Sequence, residues 1–275
     1  MREPDTTHGV DVAGGDFGSD LLDMLKTFLL VLNALLLVAG LIVAARASGP
    51  KRVEDTNADT SAGTKRALLV TAHPDDESMF FLPLVHSLAV ATPREWELHL
   101  LCLSRGDFDG LGAVRERELH TCGAFLGLVP ENVRVVEDPA LQDGMRTQWP
   151  HARVAEIVLA YVEQYEISAV FTFDDYGVSG HPNHMATHHG VQLAYIGVAD
   201  AVVSTWTLGA DGAFVFLFQP WWNYAAMALH RSQFVWYRRL FVAFSRYTYV
   251  NTFVPLGPAV SAPPPVGPAA SKKSQ

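Results

Sequence analysis

With 275 residues, 49% of them hydrophobic, the chain is long enough to bury one sizeable core. A formal net charge of −9, and no Lys/Arg run interleaved with aromatics before residue 230, argue against a nucleic-acid binder. The two cysteines, Cys102 and Cys122, provide neither a disulfide framework nor a thiolate zinc motif and read as buried, reduced thiols.

Residues 1–26 carry six acids against Arg2 and Lys26 and read as an acidic, disordered tail. Residues 27–45 (TFLLVLNALLLVAGLIVAA) contain no charge. As a helix they span about 28 Å, close to the roughly 30 Å hydrocarbon core of a bilayer. A cleaved signal peptide calls for a basic start and an apolar region of about 7–15 residues. The acidic start and the longer apolar run favour an uncleaved transmembrane anchor. Arg46, Lys51, Arg52, Lys65 and Arg66 follow it, so the positive-inside rule places the rest of the chain in the cytoplasm. Residues 46–65 read as a polar linker, which spans roughly 25 Å as a flexible coil. Residues 66–254 form one domain, and residues 255–275 a Pro-rich disordered tail.

Within the domain, strand-like apolar runs (67–71, 98–103, 133–136, 169–173) alternate with helix-like segments (77–90, 114–126, 152–165, 183–195). The alternation predicts an α/β fold, a Rossmann-like and mostly parallel sheet with helices on both faces. One transmembrane helix precedes it. Gly127 suits a helix stop. The part after residue 200 is less regular and rich in aromatics.

Two clusters carry chemistry. His73-Pro74-Asp75-Asp76-Glu77 directly follows the first strand, and His181-Pro182-Asn183-His184 follows the run that ends at Phe173. Ligands of open α/β sheets sit outside the carboxyl ends of the strands, so both clusters are expected at one site. Helix-dipole stabilisation explains acids in a first turn, but not a histidine ahead of three of them. A catalytic metal takes three protein ligands and keeps one position open. One His and one Asp of the first cluster with one His of the second supply that set. An acid is left over for proton transfer, and a His to donate to an oxyanion. Asp174 and Asp175 read as turn residues or as partners that orient a histidine. His188 and His189 read as helix-surface or packing residues.

The AHPDDE and GHPNH motifs resemble those of the LmbE-like/PIG-L superfamily of metal-dependent deacetylases, and the resemblance covers the whole domain. Ser104-Arg105-Gly106, Arg115 with Glu118-Leu119, and Thr172-Phe173-Asp174 match as well. The segments from His230 to Gln233, Trp236 to Leu240 and Phe244 to Tyr247 are similar to the membrane-bound N-acetylglucosaminyl-phosphatidylinositol de-N-acetylase branch. The resemblance implies hydrolysis of an acetamide on a glycolipid, an early step of glycosylphosphatidylinositol (GPI) anchor synthesis at the cytoplasmic face of the endoplasmic reticulum. It implies His73, Asp76 and His184 as ligands of a divalent metal, zinc being expected. Asp75 is implied as general base, His181 as the oxyanion-side catalytic residue and Arg115 as a substrate contact. Some soluble members carry a Tyr where this chain has Ser179, so the role of that Tyr does not transfer.

Glu77 has no role in that set and reads as a helix-stabilising acid of the first turn. The aromatics and arginines after residue 220 read as core helix packing or as an interfacial helix facing anionic headgroups. Three rival readings fit less well. His73-Pro74-Asp75 opens a helix rather than lying on a barrel strand, which disfavours a non-haem iron oxygenase. The acid and His complement is too complete for a degenerate binding subunit, and no G-x-S-x-G elbow supports a serine hydrolase. A deacetylase of a soluble N-acetylglucosamine conjugate is the alternative within the family.

Overall fold

The computed structural model describes residues 24, 26–32, 65–90, 95–197, 204–217 and 219–256. The chain divides into two compact units, Met1–Glu54 and Asp55–Gln275. In the first, residues 24 and 26–32 are helical. Most of the expected acidic tail (1–26), of the expected anchor (27–45), of the linker (46–65) and of the Pro-rich end (255–275) lies outside the described residues. Among the described residues, no helix is long and apolar enough to cross a membrane.

The second unit is built on a six-stranded sheet: β1 (Lys65–Thr71), β2 (Trp96–Cys102), β3 (Val133–Val135), β4 (Ala169–Thr172), β5 (Ser204–Phe216) and β6 (Val250–Pro255). The spatial order is β3-β2-β1-β4-β5-β6, parallel except for the β5–β6 pair. β1 lies at the centre, with Ala67 opposite both Leu98 and Ala169. Its residues Ala67 to Val70 are wholly buried, as a parallel sheet covered on both faces requires. The helices are α1 (Asp76–Phe80), α2 (Leu82–Val85), α3 (Gly112–Phe125), α4 (His151–Gln164), α5 (Pro182–Gly197), α6 (Pro220–Leu229) and α7 (Trp236–Phe244). β1 to β3 wind outward in one direction, and β4 to β5 in the other. With right-handed crossovers, α1 to α3 then fall on one face and α4 and α5 on the opposite face. The packing agrees, since α4 lies against α5, and α3 and α1 against α6. The winding reverses between β1 and β4, so the crevice at their carboxyl ends is the switch point of the fold.

The four predicted strands are present, and three of the four helical segments match α3, α4 and α5. Gly127 takes φ +74°, and the Leu128 N–H donates to the Gly123 carbonyl, closing α3 as expected. The segment 77–90 is the exception, because it is not one helix. It breaks at Phe81 into α1, α2 and a wide turn over His86–Val90. Asn251 on β6 explains the break. Its side-chain amide donates to the Phe80 carbonyl (2.7 Å), and its oxygen accepts from the Leu84 N–H (3.1 Å). Those two backbone groups would bond each other in a continuous helix, so the buried amide replaces that rung. Pro83 removes a further donor from the same turn.

A second long-range contact joins the start of α1 to the C-terminal part of the domain. Glu77 and His230 are both fully buried, and His230 Nε2 lies 2.6 Å from Glu77 Oε1. Ser78 Oγ donates to the same oxygen (2.6 Å), while Glu77 Oε2 accepts from the Asp75 N–H (3.1 Å). Burial opposes charge on both groups. The pairing outweighs it, holding Glu77 below its ordinary value and His230 well above its own. Glu77 is a first-turn acid as expected, accepting from the N–H of Asp75 ahead of the helix, and it has a second role. It ties the His230 segment to the loop after β1.

Two stability outcomes follow from these contacts. A Cβ on Gly190 of α5 would come within 2.4 Å of the Val154 side chain on α4. Gly190→Ala is expected to destabilise the protein by about 1–3 kcal/mol in urea unfolding. His230→Gln, which leaves Glu77 buried without its cation, is expected to cost about 3–5 kcal/mol. The raised His230 contributes fully below its unfolded value near 6.5 and loses its contribution as pH rises through its folded value. The lowered Glu77 contributes fully above about 4.5 and loses its share as pH falls. The penalty of the variant is therefore greatest between about pH 4.5 and 6.5, and unfolding titrations across pH measure it. A penalty that grows steadily up to pH 9 would contradict the pairing.

Candidate active site

The loop after β1 is a crossing point of hydrogen bonds. Asp76 Oδ2 accepts from the N–H groups of Ala72 (3.0 Å) and His73 (2.7 Å), which pulls its carboxylate back under the strand end. Asp75 takes φ +116°, an unfavourable backbone for a non-glycine residue, with a cost on the order of 1–3 kcal/mol. Three contacts hold it there. Its N–H is held by Glu77, and its carboxylate faces Arg115 (3.5 Å) and bonds Arg238. After β4 the chain turns sharply. Asp174 Oδ1 accepts from the Val178 N–H (2.6 Å), and Gly177 takes φ +63°. A Cβ at Gly177 would lie 2.7 Å from that of His184. This turn brings the start of α5 against the β1 loop.

Five of the six sequence-predicted residues, His73, Asp75, Asp76, His181 and His184, converge here. His184 Nε2 lies 3.3 Å from His73 Nδ1 and 3.3 Å from Asp76 Oδ1, and His73 Nδ1 lies 3.8 Å from Asp76 Oδ2. Two ligand atoms on one tetrahedral zinc, each at about 2.0–2.1 Å, sit about 3.4 Å apart.

The outer nitrogens fix which atoms face the centre. His184 Nδ1 meets the Gly177 carbonyl (3.1 Å), an acceptor only, so the proton is on Nδ1 and Nε2 presents a lone pair. His73 Nε2 faces Asp143 Oδ1 (3.0 Å) and Asn183 Oδ1 (3.1 Å), so the lone pair of the neutral ring is on Nδ1. Two lone pairs and a carboxylate that face one another this closely need a positive charge among them, a proton or a metal cation. The pKa directions say the same. Burial lowers that of His73, yet Asp143 and Asp76 outweigh it and hold the ring above its ordinary value. Burial raises that of Asp76, yet His184 and His73 hold it well below the usual carboxylate range. The donor set fits a divalent cation.

His181 also borders the centre, its ring 4.9 Å from that of His73 and 4.8 Å from that of His184. The Asn183 N–H donates to His181 Nδ1 (3.2 Å), so the neutral ring carries its proton on Nε2. Burial, with His73 and His184 beside it, pushes its pKa down to about 4, and the ring is neutral at pH 7. In this tautomer Nε2 is a hydrogen-bond donor, although His181 also offers a ring nitrogen within 4.8 Å of those of His73 and His184, so the three histidines are a second candidate donor set beside the one with Asp76.

Arg115 lies beneath the loop. Its terminal nitrogens donate to the carbonyls of Gly106 (2.8 Å) and Pro74 (2.9 Å) and face Asp143 (3.4 Å) and Asp75 (3.5 Å). The side chain is 9% exposed, so its main effect is to fix the two carboxylates. His188 donates to the Phe173 carbonyl (2.9 Å) and the His189 ring lies tilted against that of His151, 5.1 Å between centroids, so both are packing residues as expected. Asp174 is a turn residue, its carboxylate accepting from the Val178 N–H.

Three residues of the site escaped the sequence reading. Asp143 and Asn183 orient His73, and Asn183 also accepts from the Gly144 N–H (3.2 Å) and donates to the Thr147 carbonyl (3.2 Å). The third, Arg238, reaches Asp75 from α7. Asn183 lies inside the second motif, a usable signal. Asp143 stands in a loop without periodicity, and nothing local marks it.

Comparison with known proteins agrees with this geometry. Residues 68–195 match the family described as PIG-L: GlcNAc-PI de-N-acetylase. An N-acetylglucosaminyl-phosphatidylinositol de-N-acetylase of Bos taurus is 36% identical over 249 residues, 82% of this chain and 96% of the bovine one. A probable N-acetylglucosaminyl-phosphatidylinositol de-N-acetylase of Dictyostelium discoideum is 30% identical, over 69% of this chain and 93% of its own. Among solved structures, the N,N'-diacetylchitobiose deacetylase of Pyrococcus horikoshii shares the fold. Its TM-score is 0.56 at 14% identity, covering 70% of this chain and 83% of that one. With the bovine relative matched over nearly its full length, and both motifs gathered at one switch point, the chain belongs to the PIG-L family of GlcNAc-PI de-N-acetylases.

Proposed function

We propose that the protein hydrolyses the acetamide of N-acetylglucosaminyl-phosphatidylinositol, giving glucosaminyl-phosphatidylinositol and acetate, an early step of GPI anchor synthesis. The observation that carries the reading is the facing of His73 Nδ1, His184 Nε2 and Asp76 beside the carboxylate of Asp75, which Arg115 and Arg238 hold in place. In this proposal His73, Asp76 and His184 would hold a divalent cation, zinc. When bound, it supplies a Lewis acid that polarises the acetamide carbonyl and makes water a nucleophile near neutral pH.

The chain's own residues divide the remaining work. Asp75 takes the proton of the attacking water and hands it to the leaving amine nitrogen as the C–N bond breaks. His181, neutral and with its proton on Nε2, donates to the oxyanion of the tetrahedral intermediate. Asp143 and Asn183 keep the His73 ring turned so that Nδ1 faces inward. Arg115 serves the substrate side of the site from below, holding Asp75 and Asp143 at their places. Residues 27–45 anchor the chain in the endoplasmic reticulum membrane as a single span. The bases that follow them keep the catalytic domain on the cytoplasmic side, where the glycolipid headgroup is presented.

Acetate release from N-acetylglucosaminyl-phosphatidylinositol, followed with and without a chelator, tests the reading. Activity is expected to vanish with chelation and to return on adding zinc, and undiminished activity in the metal-stripped protein would overturn the metal role. Asp75→Asn is expected to lose at least about a hundredfold in kcat while keeping its metal, by analogy with the size of general-base effects. His184→Ala is expected to lose both turnover and metal. Metal content by atomic absorption separates the two variants, and near-normal turnover in Asp75→Asn would sink the base assignment.

A further inference from the structure

Two arginines reach Asp75, and they are held in different ways. The guanidinium of Arg115 is locked by two backbone carbonyls and packs so closely on Gly106 that a Cβ there would lie 2.5 Å from it. The side chain of Arg238 is 22% exposed, against 4% for Asp75. Its partners are side chains, Asp75 Oδ2 and Gln233 Oε1 (3.2 Å). No backbone carbonyl fixes it among the contacts described. It is the more exposed of the two partners and can change contacts by rotating its own bonds.

The helix that carries Arg238 is built unusually for a core element. Of the α7 residues only Val242 is buried, whereas Trp236, Tyr237, Leu240 and Phe244 are each more than half exposed. An arginine directed into the site from a helix with an apolar outer face matches a ligand that joins an anionic group to a hydrocarbon part. The substrate proposed above has that chemistry, a phosphodiester between inositol and diacylglycerol. Resting on that reading, we propose that Arg238 is the residue that recognises the substrate phosphodiester, exchanging its ion pair with Asp75 for one with the phosphate oxygens.

The exchange makes physical sense for both groups. A guanidinium left without an anion in a half-buried place is costly, and here one anion replaces another. Its planar fork matches two phosphate oxygens better than one carboxylate oxygen. Asp75 keeps the more distant Arg115 and gains a free oxygen, which it needs to accept a proton from water. Binding of the anionic headgroup thus frees the base only when the correct substrate is in place.

The test compares full-length wild type, Arg238→Gln and Arg238→Lys in detergent micelles on two substrates. One is N-acetylglucosaminyl-phosphatidylinositol. The other is its analogue with a neutral ether link in place of the phosphodiester. The ratio of the two kcat/KM values does not depend on how much of a preparation is folded. Wild type is expected to prefer the anionic substrate, and Arg238→Gln to lower that preference by roughly ten- to a hundredfold, mainly through KM. Arg238→Lys should fall between them. An unchanged ratio in Arg238→Gln would overturn the inference, whether both activities drop together or neither moves. An inactive wild type on the anionic substrate would instead overturn the proposed function.

Discussion

A carboxylate in a protein interior stays charged only if other groups replace its water, and Glu77 is the place where this constraint shapes the molecule. Three groups serve it: the His230 imidazole, the Ser78 hydroxyl and the Asp75 N–H. The first comes from 153 residues along the chain, and the last fixes the strained backbone of Asp75. Meeting the needs of one buried acid therefore docks the C-terminal segment and sets the β1 loop. Arg238, only eight positions after His230, follows from that docking to Asp75.

The same logic of satisfied polar groups governs the site. Each histidine presents to the centre the nitrogen its outer partner does not occupy, and that partner decides whether this nitrogen carries the proton. The Gly177 carbonyl sets His184, Asp143 with Asn183 sets His73, and the Asn183 N–H sets His181. Two rings are left as lone-pair donors and one as a proton donor. Three residues of one chemical type thus hold two roles, separated by their hydrogen-bond partners rather than by their own identity.

Much of this was legible in the sequence, and the reason differs by element. β1 to β4 announce themselves because strands buried on both faces must be continuous apolar runs, as in Ala67 to Val70. β5 and β6 do not, since β5 is long, irregular in register and pairs antiparallel with a strand some 40 residues later. The helix predicted over 77–90 failed because its local pattern is helical. What breaks it is Asn251, an amide that no window around residue 81 contains. Glu77 was read as a first-turn acid, which it is, but its buried partner was missed for the same reason, lying at position 230.

The sequence by itself determined the α/β alternation, the two His- and Asp-bearing clusters at strand ends and the family. Those depend on residue type at short spacing, and short spacing is what a chain records locally. Tertiary structure alone decided the imidazole tautomers, the φ of Asp75, the broken first helix and the partners of Asp75. Each of these depends on one hydrogen-bonding group meeting another from a distant segment. Such a pairing exists only after the sheet has wound outward both ways from β1 and brought its loops to a single edge.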